Sequence, residues 1–208
     1  MKHAWWYSKQ LDHLSEVWWS RQKNSTSIDK NYPHIAIIGG GIGWVALAVA
    51  CFHRGIPFTL YERDSSFDSR SQWYGLTLQQ ANKAMESFGI FWLKDAIRTT
   101  RHIVHNPEGK VIGEWGKKKE VINSNKTKKQ KNVHIARQSL RMELLAQLSE
   151  CHWLKWGHQL INFSQNNDGG IDLIFQRDGK VEKAEADLVV GADGIRSVVR
   201  KLLINEDI

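Results

Sequence analysis

Three glycines and one carboxylate are the residues whose types and spacing could do chemistry. They are Gly39, Gly41 and Gly43, followed by Glu62 about 20 positions later. Glycines let the backbone turn tightly and approach a phosphate, and a helix that begins after the turn directs N–H groups at the same anion. The later carboxylate can accept hydrogen bonds from ribose hydroxyls. This spacing predicts a dinucleotide site.

The segments around these residues have the order that such a site needs. Residues 34–38 form a short β-branched run, typical of a buried parallel strand, that leads straight into the glycines. Residues 45–52 are apolar and favour a helix ending near Gly55. A second strand at 57–61 ends at Glu62 and Arg63. We therefore predict a strand–helix–strand unit that binds a dinucleotide, with a purely structural turn as the alternative.

One position departs from the dinucleotide fingerprint. Counted from Gly39 and Gly41, its third glycine falls at position 44, where the sequence has Trp44. That glycine normally permits close packing of helix against strand. Either the helix is displaced, or the register shifts so that Gly41, Gly43 and Ala46 take the three roles; the end of the strand favours the first register. We expect Trp44 to be the main feature that lowers cofactor affinity.

The rest of the chain alternates short strands and helices. Strands are predicted at 133–137, 158–163, 171–176 and 181–184, the last three as a meander. Residues 103–115 predict a hairpin, and 79–88 a short helix. Ser139 is predicted to cap a helix that runs to Glu150. His134 and His158 are interpreted as ordinary sheet residues.

Four segments stand in a recognisable order: IAIIGGGIG, YERD, IARQSLRMELL and the closing GADGIRSVVR. Together, over about residues 34–204, they resemble the flavin-dependent aromatic hydroxylases, the FAD monooxygenases related to p-hydroxybenzoate hydroxylase. The resemblance implies an α/β fold, with a Rossmann-like FAD- and NAD(P)-binding domain and inserted β-strands. It also implies that NAD(P)H reduces the flavin and that O₂ then supplies one oxygen atom to an aromatic or similar small molecule.

The resemblance assigns cofactor-binding residues by motif. They are Gly39, Gly41, Gly43, Glu62, Arg63, Arg137, Asp193 and Gly194. The glycines at 39, 41 and 43 would approach the FAD diphosphate, Glu62 would hold the adenosine ribose, and Arg63 would lie beside the adenine. Arg137 would contact the flavin cofactor, with a surface ion pair as the alternative. Asp193, in its turn with Gly194, would serve both FAD and NAD(P)H, with a helix cap as the alternative.

Family members continue past the matching segment, through a Gly-Asp motif at the flavin and the remaining substrate sheet. The chain is therefore expected to be incomplete relative to the family, as a fragment of a longer enzyme or as a standalone remnant, and no catalytic residue is assigned. A truncated, non-catalytic dinucleotide-binding or partner-docking protein is the alternative function. His, Cys and acidic residues lack metal-ligand spacing, and no Gly-x-Ser-x-Gly motif is present, so neither a metal site nor a hydrolase is predicted.

The positive charge is concentrated in one segment. Residues 117–131 hold seven lysines and one glutamate, so they carry +6 of the net charge of +7. The segment has no aromatic side chain for base stacking, which favours a solvated loop over nucleic-acid binding. The sequence contains no apolar run of about 18 residues and only two distant cysteines, Cys51 and Cys151, so a cytoplasmic protein without a membrane span is expected.

Residues 1–33 precede the first predicted strand and form an extension before the FAD-binding domain at 34–208. Tyr7, Leu11, Leu14 and Trp18 recur at helical spacing, which predicts a Trp-rich amphipathic helix. Packing on its own domain, docking to a protein partner and contact with a membrane surface all stay open for this helix. The expected ligand of the domain is a small-molecule substrate.

Overall fold

The computed structural model describes residues 32–69, 74–98, 101–116, 133–148 and 153–204. The predicted N-terminal helix and the lysine-rich segment lie outside these residues. The structure is a mixed α/β fold, as predicted, in which a parallel sheet carries two long helices on one face and, on the other, an antiparallel meander with the last helix.

The predicted strand–helix–strand unit is confirmed. Strand β1 (Ile35–Ile38) leads through the glycines into helix α1 (Ile42–Arg54), and strand β2 (Phe58–Glu62) returns parallel to β1. Gly55 ends the helix at φ +67°, and its N–H donates to the carbonyl groups of Cys51 and Phe52. Glycine suits this position because it adopts the left-handed conformation without strain.

Two further strands extend this parallel sheet on either side. Strand β8 (Leu154–Trp156) pairs with β2, and β12 (Leu188–Gly191) pairs with β1, giving the order β12-β1-β2-β8. Strand β8 was not among the strands predicted from the sequence. Since all four strands are parallel, their carboxyl ends meet at one edge, and ligands of open α/β sheets bind outside that edge where the strand order reverses. The glycine loop lies at that place, between β1 and its neighbours on both sides.

Alternation along β1 separates two hydrophobic cores. Ile35 and Ile37 face a core built with α1 and α3 (Arg137–Ala146), whereas Ala36 and Ile38 face the other side. That side is covered by the predicted meander, which is confirmed. Its strands are β9 (Gln159–Gln165), β10 (Ile171–Arg177) and β11 (Lys180–Ala186).

The remaining elements lie beside the helices and at the end of the chain. They are a 3₁₀ turn (Phe67–Ser69), β3 (Gly75–Leu78), α2 (Ala81–Ser87), β4 (Ile97–Arg98), β5 (Arg101–His105), β6 (Val111–Gly116), β7 (Val133–Ala136) and α4 (Val198–Ile204). Strands β3, β7 and β4 form a small antiparallel sheet. Strands β5 and β6 form the predicted hairpin, which is therefore confirmed.

The predicted cap at Ser139 is wrong. Helix α3 already begins at Arg137, with Ala136 at the N-cap position and no side-chain cap. Ser139 therefore lies inside the first turn, where its hydroxyl donates to the carboxylate of Asp95 at 3.0 Å. His134 lies in β7, as interpreted, whereas His158 is buried in the turn before β9 and is hydrogen-bonded to Trp156 O and Glu182.

We expect Leu144→Ala to lower the free energy of unfolding by about 2–5 kcal/mol, because a fully buried leucine leaves a cavity in the helix-side core. Met142→Ala on the same helix is the matched control, since Met142 is 52% exposed and its loss should cost no more than about 0.5 kcal/mol. Urea unfolding followed by circular dichroism measures both. Equal losses would contradict the assignment of this face of α3 to the core.

Candidate functional site

The glycine loop joins β1 to α1 in a conformation that suits an approaching anion. Gly39 has φ +113°, a value that side-chain-bearing residues rarely adopt, and its N–H donates to Tyr61 O at 2.7 Å. Gly41 is the N-cap residue of α1, and no side chain caps the helix there. The first N–H groups of α1 are therefore left for another acceptor, which is the arrangement that binds phosphate at helix starts.

Gly43 lies exposed in the first turn of α1. A Cβ built on it would meet nothing within 4 Å. The protein itself therefore does not need glycine at this position, and the predicted contact of Gly43 with a diphosphate stays a prediction.

Trp44 packs beneath the glycine loop. Its side chain is only 3% exposed and belongs to the helix-side core. A Cβ built on Gly39 would lie 2.7 Å from the indole Nε1, and one on Gly41 would lie 3.5 Å from Cδ1. The structure therefore has the first register, with Gly39 at the turn and Gly41 at the helix start. The indole fills the space under the loop.

Glu62 ends β2 on the side of the sheet that faces the helices. Side chains alternate along a strand, so Glu62 lies on the same face as the core residues Phe58 and Leu60. The carboxylate is buried, and its Oε1 accepts the N–H of Asp64 at 2.9 Å. Its Oε2 lies directly over Gly40, where an added Cβ would collide with it. Gly40 thus leaves the carboxylate room.

Arg141 is a charged side chain at the candidate site that was not predicted from the sequence. Its guanidinium lies between the rings of Phe67 and Trp156, at 4.9 and 5.4 Å from their centroids. A Cβ on Gly40 would lie 3.1 Å from Arg141 Nη2. Burial lowers the pKa of this guanidinium, and the nearby Glu62 carboxylate acts to raise it. Its spacing in the sequence could have indicated burial, because Arg141 precedes the buried Leu144 by three positions and so lies on the same face of the helix.

Arg137 lies at the other side of the loop. A Cβ on Gly41 would lie 3.4 Å from Arg137 Nη2, and the guanidinium stands 5.8 Å from the ring centroid of Tyr74. The backbone N–H of Arg137 also donates to Tyr74 O at 3.1 Å, which fixes the start of α3. Arg137 forms no ion pair with any residue that the structure describes, so the surface ion-pair alternative has no support there.

The backbone of Asp193 lies beside Gly39 of the glycine loop. Its Cα lies 3.2 Å from the position of a Cβ on Gly39. Its carboxylate accepts hydrogen bonds from Ser197 Oγ and from the N–H groups of Val198 and Val199, so it caps α4. The helix-cap alternative is thus what the structure contains, and a role for Asp193 toward FAD or NAD(P)H stays a prediction.

Two other predicted residues have less definite surroundings. Gly194 has φ +85°, so glycine is favoured by the backbone alone, and a Cβ there would meet nothing within 4 Å. Arg63 is exposed directly after β2. Their contacts with a cofactor stay predictions.

The residues brought together fit a dinucleotide. The loop at Gly39 and Gly41, the open helix start and Arg137 offer donors to a diphosphate. At Gly40, a buried carboxylate and a buried guanidinium lie so close to the backbone that a Cβ would collide with the carboxylate. Within the described ranges, no cluster of three His, Cys, Asp or Glu side chains could hold a metal ion, and no helix is long and apolar enough to cross a membrane.

Comparison with known proteins agrees with this geometry. A family described as an FAD binding domain matches residues 33–206. The FAD-dependent monooxygenase thnD of Trichoderma harzianum is 26% identical over 183 residues, covering 83% of this chain and 41% of the relative. The FAD-dependent monooxygenase pigN of Monascus ruber is 29% identical over 182 residues, covering 83% of this chain and 40% of the relative.

A solved structure shares the fold. The 2,6-dihydroxypyridine-3-hydroxylase of Arthrobacter nicotinovorans superposes with a TM-score of 0.66 at 23% identity, covering 84% of this chain and 40% of that one. At this identity the likeness shows the fold alone. The chain thus spans about 40% of the length of these relatives.

We expect Gly40→Ala to abolish retention of FAD. The new Cβ would collide with the Glu62 carboxylate and crowd the Arg141 guanidinium, so both groups would have to move away from the loop. Gly113→Ala is the control, because a Cβ there would lie 3.8 Å from Val104 Cβ, an ordinary contact. Flavin absorbance after desalting measures retention. Wild-type retention by Gly40→Ala would exclude Gly40 from the site.

We expect Trp44→Ala to lower the free energy of unfolding by about 3–5 kcal/mol, because it empties a core position under the loop. Trp92→Ala, which alters a tryptophan that is 71% exposed, should change stability by no more than about 0.5 kcal/mol. Urea unfolding measures both variants, and an FAD titration accompanies it. Tighter FAD binding by Trp44→Ala would show that the indole obstructs the site and does not support it.

Proposed function

Because the chain belongs to the FAD binding domain family, we propose that it is the FAD-binding portion of a monooxygenase that uses NAD(P)H and O₂ to hydroxylate an aromatic or similar small molecule. The observation that carries this proposal is the convergence of Glu62, the glycine loop and Arg137 at the carboxyl end of β1. The proposal for the whole activity extends beyond the chain, which spans about 40% of its relatives.

The proposed roles follow the position of each residue. Gly39, Gly41 and the start of α1 bind the FAD diphosphate through backbone N–H groups, while Arg137 adds a positive charge beside it. Glu62 accepts hydrogen bonds from the adenosine ribose. The other proposed contacts are those of Gly43 with the diphosphate, Arg63 with the adenine, and Asp193 and Gly194 with FAD or NAD(P)H.

When bound, the flavin supplies the redox chemistry by taking a hydride from NAD(P)H and activating O₂. The residues of this chain bind and orient it. Trp44 excludes water from beneath the glycine loop, since its indole fills that space. Tyr61, stacked on Phe175 with centroids 4.2 Å apart, docks the meander on the strand that carries Glu62 and so keeps that strand end fixed.

The remaining predictions complete the proposal. We place the FAD-binding domain at 34–208 after an extension at 1–33, and we propose a cytoplasmic protein that acts on a small-molecule substrate. The extension is proposed as the contact for a protein partner or a membrane surface. A truncated, non-catalytic protein is the competing hypothesis, but the match to monooxygenases over four fifths of the chain favours the enzyme family.

The visible absorption spectrum of the purified chain, before and after incubation with excess FAD and desalting, tests the proposal. A retained flavin spectrum is expected. If the chain is colourless yet folded by circular dichroism, the non-catalytic hypothesis would replace ours. NAD(P)H-dependent oxygen consumption by the FAD-loaded chain then tests whether these residues suffice for turnover or need the rest of the family's length.

We expect Glu62→Ala to weaken FAD binding about ten- to hundredfold, the effect of losing a hydrogen bond to a charged group. Glu108→Ala, at an exposed position in the turn of the β5–β6 hairpin, is the control with the same charge change and should bind FAD as the wild type does. Titration of flavin fluorescence gives both dissociation constants. Unchanged affinity in Glu62→Ala would remove Glu62 from the ribose contact.

A further inference from the structure

Two side chains of opposite charge, Glu62 and Arg141, lie against the backbone of Gly40. A Cβ built there would collide with Glu62 Oε2 and would lie 3.1 Å from Arg141 Nη2. Both side chains are buried, at 7% and 4% exposure. The carboxylate oxygen and the guanidinium nitrogen thus lie near each other at the loop, so that one ligand oxygen beside the loop could contact both.

Glu62 and Arg141 are not paired with each other. Among the described residues, Arg141 and Glu62 form no ion pair within 4 Å, and Arg141 Nε has no hydrogen-bond partner. Arg141 Nη1 reaches only Phe67 O, at 3.5 Å, which is a marginal distance for a hydrogen bond. A buried guanidinium with so few partners is costly and calls for a ligand that supplies acceptors.

The position of Arg141 is fixed by packing. Its guanidinium lies over the ring of Phe67, in the 3₁₀ turn after β2, and over the ring of Trp156, at the end of β8. Planar guanidinium groups stack well on aromatic faces and stay charged when buried. The donor is thus held toward Gly40 before any ligand arrives, which reduces the entropy lost on binding.

The chemistry of the pair selects the ligand group. A hydroxyl both donates and accepts, so it satisfies a carboxylate and a guanidinium at once. A phosphate oxygen only accepts and would be repelled by Glu62, whereas an ammonium would be repelled by Arg141. We propose that Arg141 is a second ribose-binding residue. Its guanidinium would donate a hydrogen bond to one hydroxyl of the adenosine ribose, and the same hydroxyl would donate a hydrogen bond to the Glu62 carboxylate. This inference rests on the proposed binding of FAD.

The test compares FAD with an analogue whose adenosine ribose lacks both hydroxyls. Wild type, Arg141→Met and Arg54→Met are titrated with each ligand by flavin fluorescence. Methionine keeps an apolar chain between the two rings but has no donor, and the exposed Arg54 controls for the loss of one charge. Arg141→Met is expected to weaken FAD binding about ten- to hundredfold and to lose most of the preference for FAD over the analogue. Arg54→Met is expected to match the wild type.

Three results would overturn the inference. Wild-type affinity for FAD in a folded Arg141→Met would do so, and so would an equal loss for FAD and for the analogue, since the guanidinium would then act elsewhere. If Arg141→Met does not fold, Arg141→Leu, which also has no donor, decides: its preference for FAD over the analogue should fall below that of the wild type, and an unchanged preference would overturn the inference. A wild-type chain that binds no FAD would overturn the proposed function as well.

Discussion

Burial of β1 on both faces is the constraint on which the geometry of the site depends. Ala36 and Ile37 are completely buried, one against the meander and the other against the helices. A strand enclosed in this way cannot slip by one residue, because a slip would exchange the two faces. The end of β1 is therefore fixed, and the glycine loop that follows it is held between the ends of β2 and β12.

The same alternation decides which side of the sheet becomes the site. In β2 it sends Tyr61 into the meander and Glu62 toward the helices, so adjacent residues serve the core and the candidate site. In β8 it places Leu154 and Trp156 on the helix side. The alternation along β2 and β8 thus determines that the Glu62 carboxylate and the Trp156 ring both lie on the side of the sheet that faces α3.

Much of this arrangement could be predicted from residue patterns, and the exceptions have physical causes. The unit from β1 to β2 was predictable because apolar runs, glycines and the final carboxylate are contiguous. Strand β8 was not, since three residues with one lysine give no clear periodicity. Arg141 was missed although its helical phase indicates burial, because the two rings beside its guanidinium, Phe67 and Trp156, are distant from it in sequence.

Trp44 shows how a departure from a motif can be absorbed by the fold. A helical side chain is tilted toward the N-terminus of its helix, so a large residue in the first turn of α1 extends back under the glycine loop. The loop tolerates the indole there because Gly39 and Gly41 have no side chains to meet it. Hydrophobic burial of the indole then stabilises the loop on its core side. The N–H groups at the start of α1 lie on the opposite side of the loop. At the position of the third glycine this chain therefore has a buried core side chain, and the expected effect of Trp44 on cofactor affinity stays a prediction.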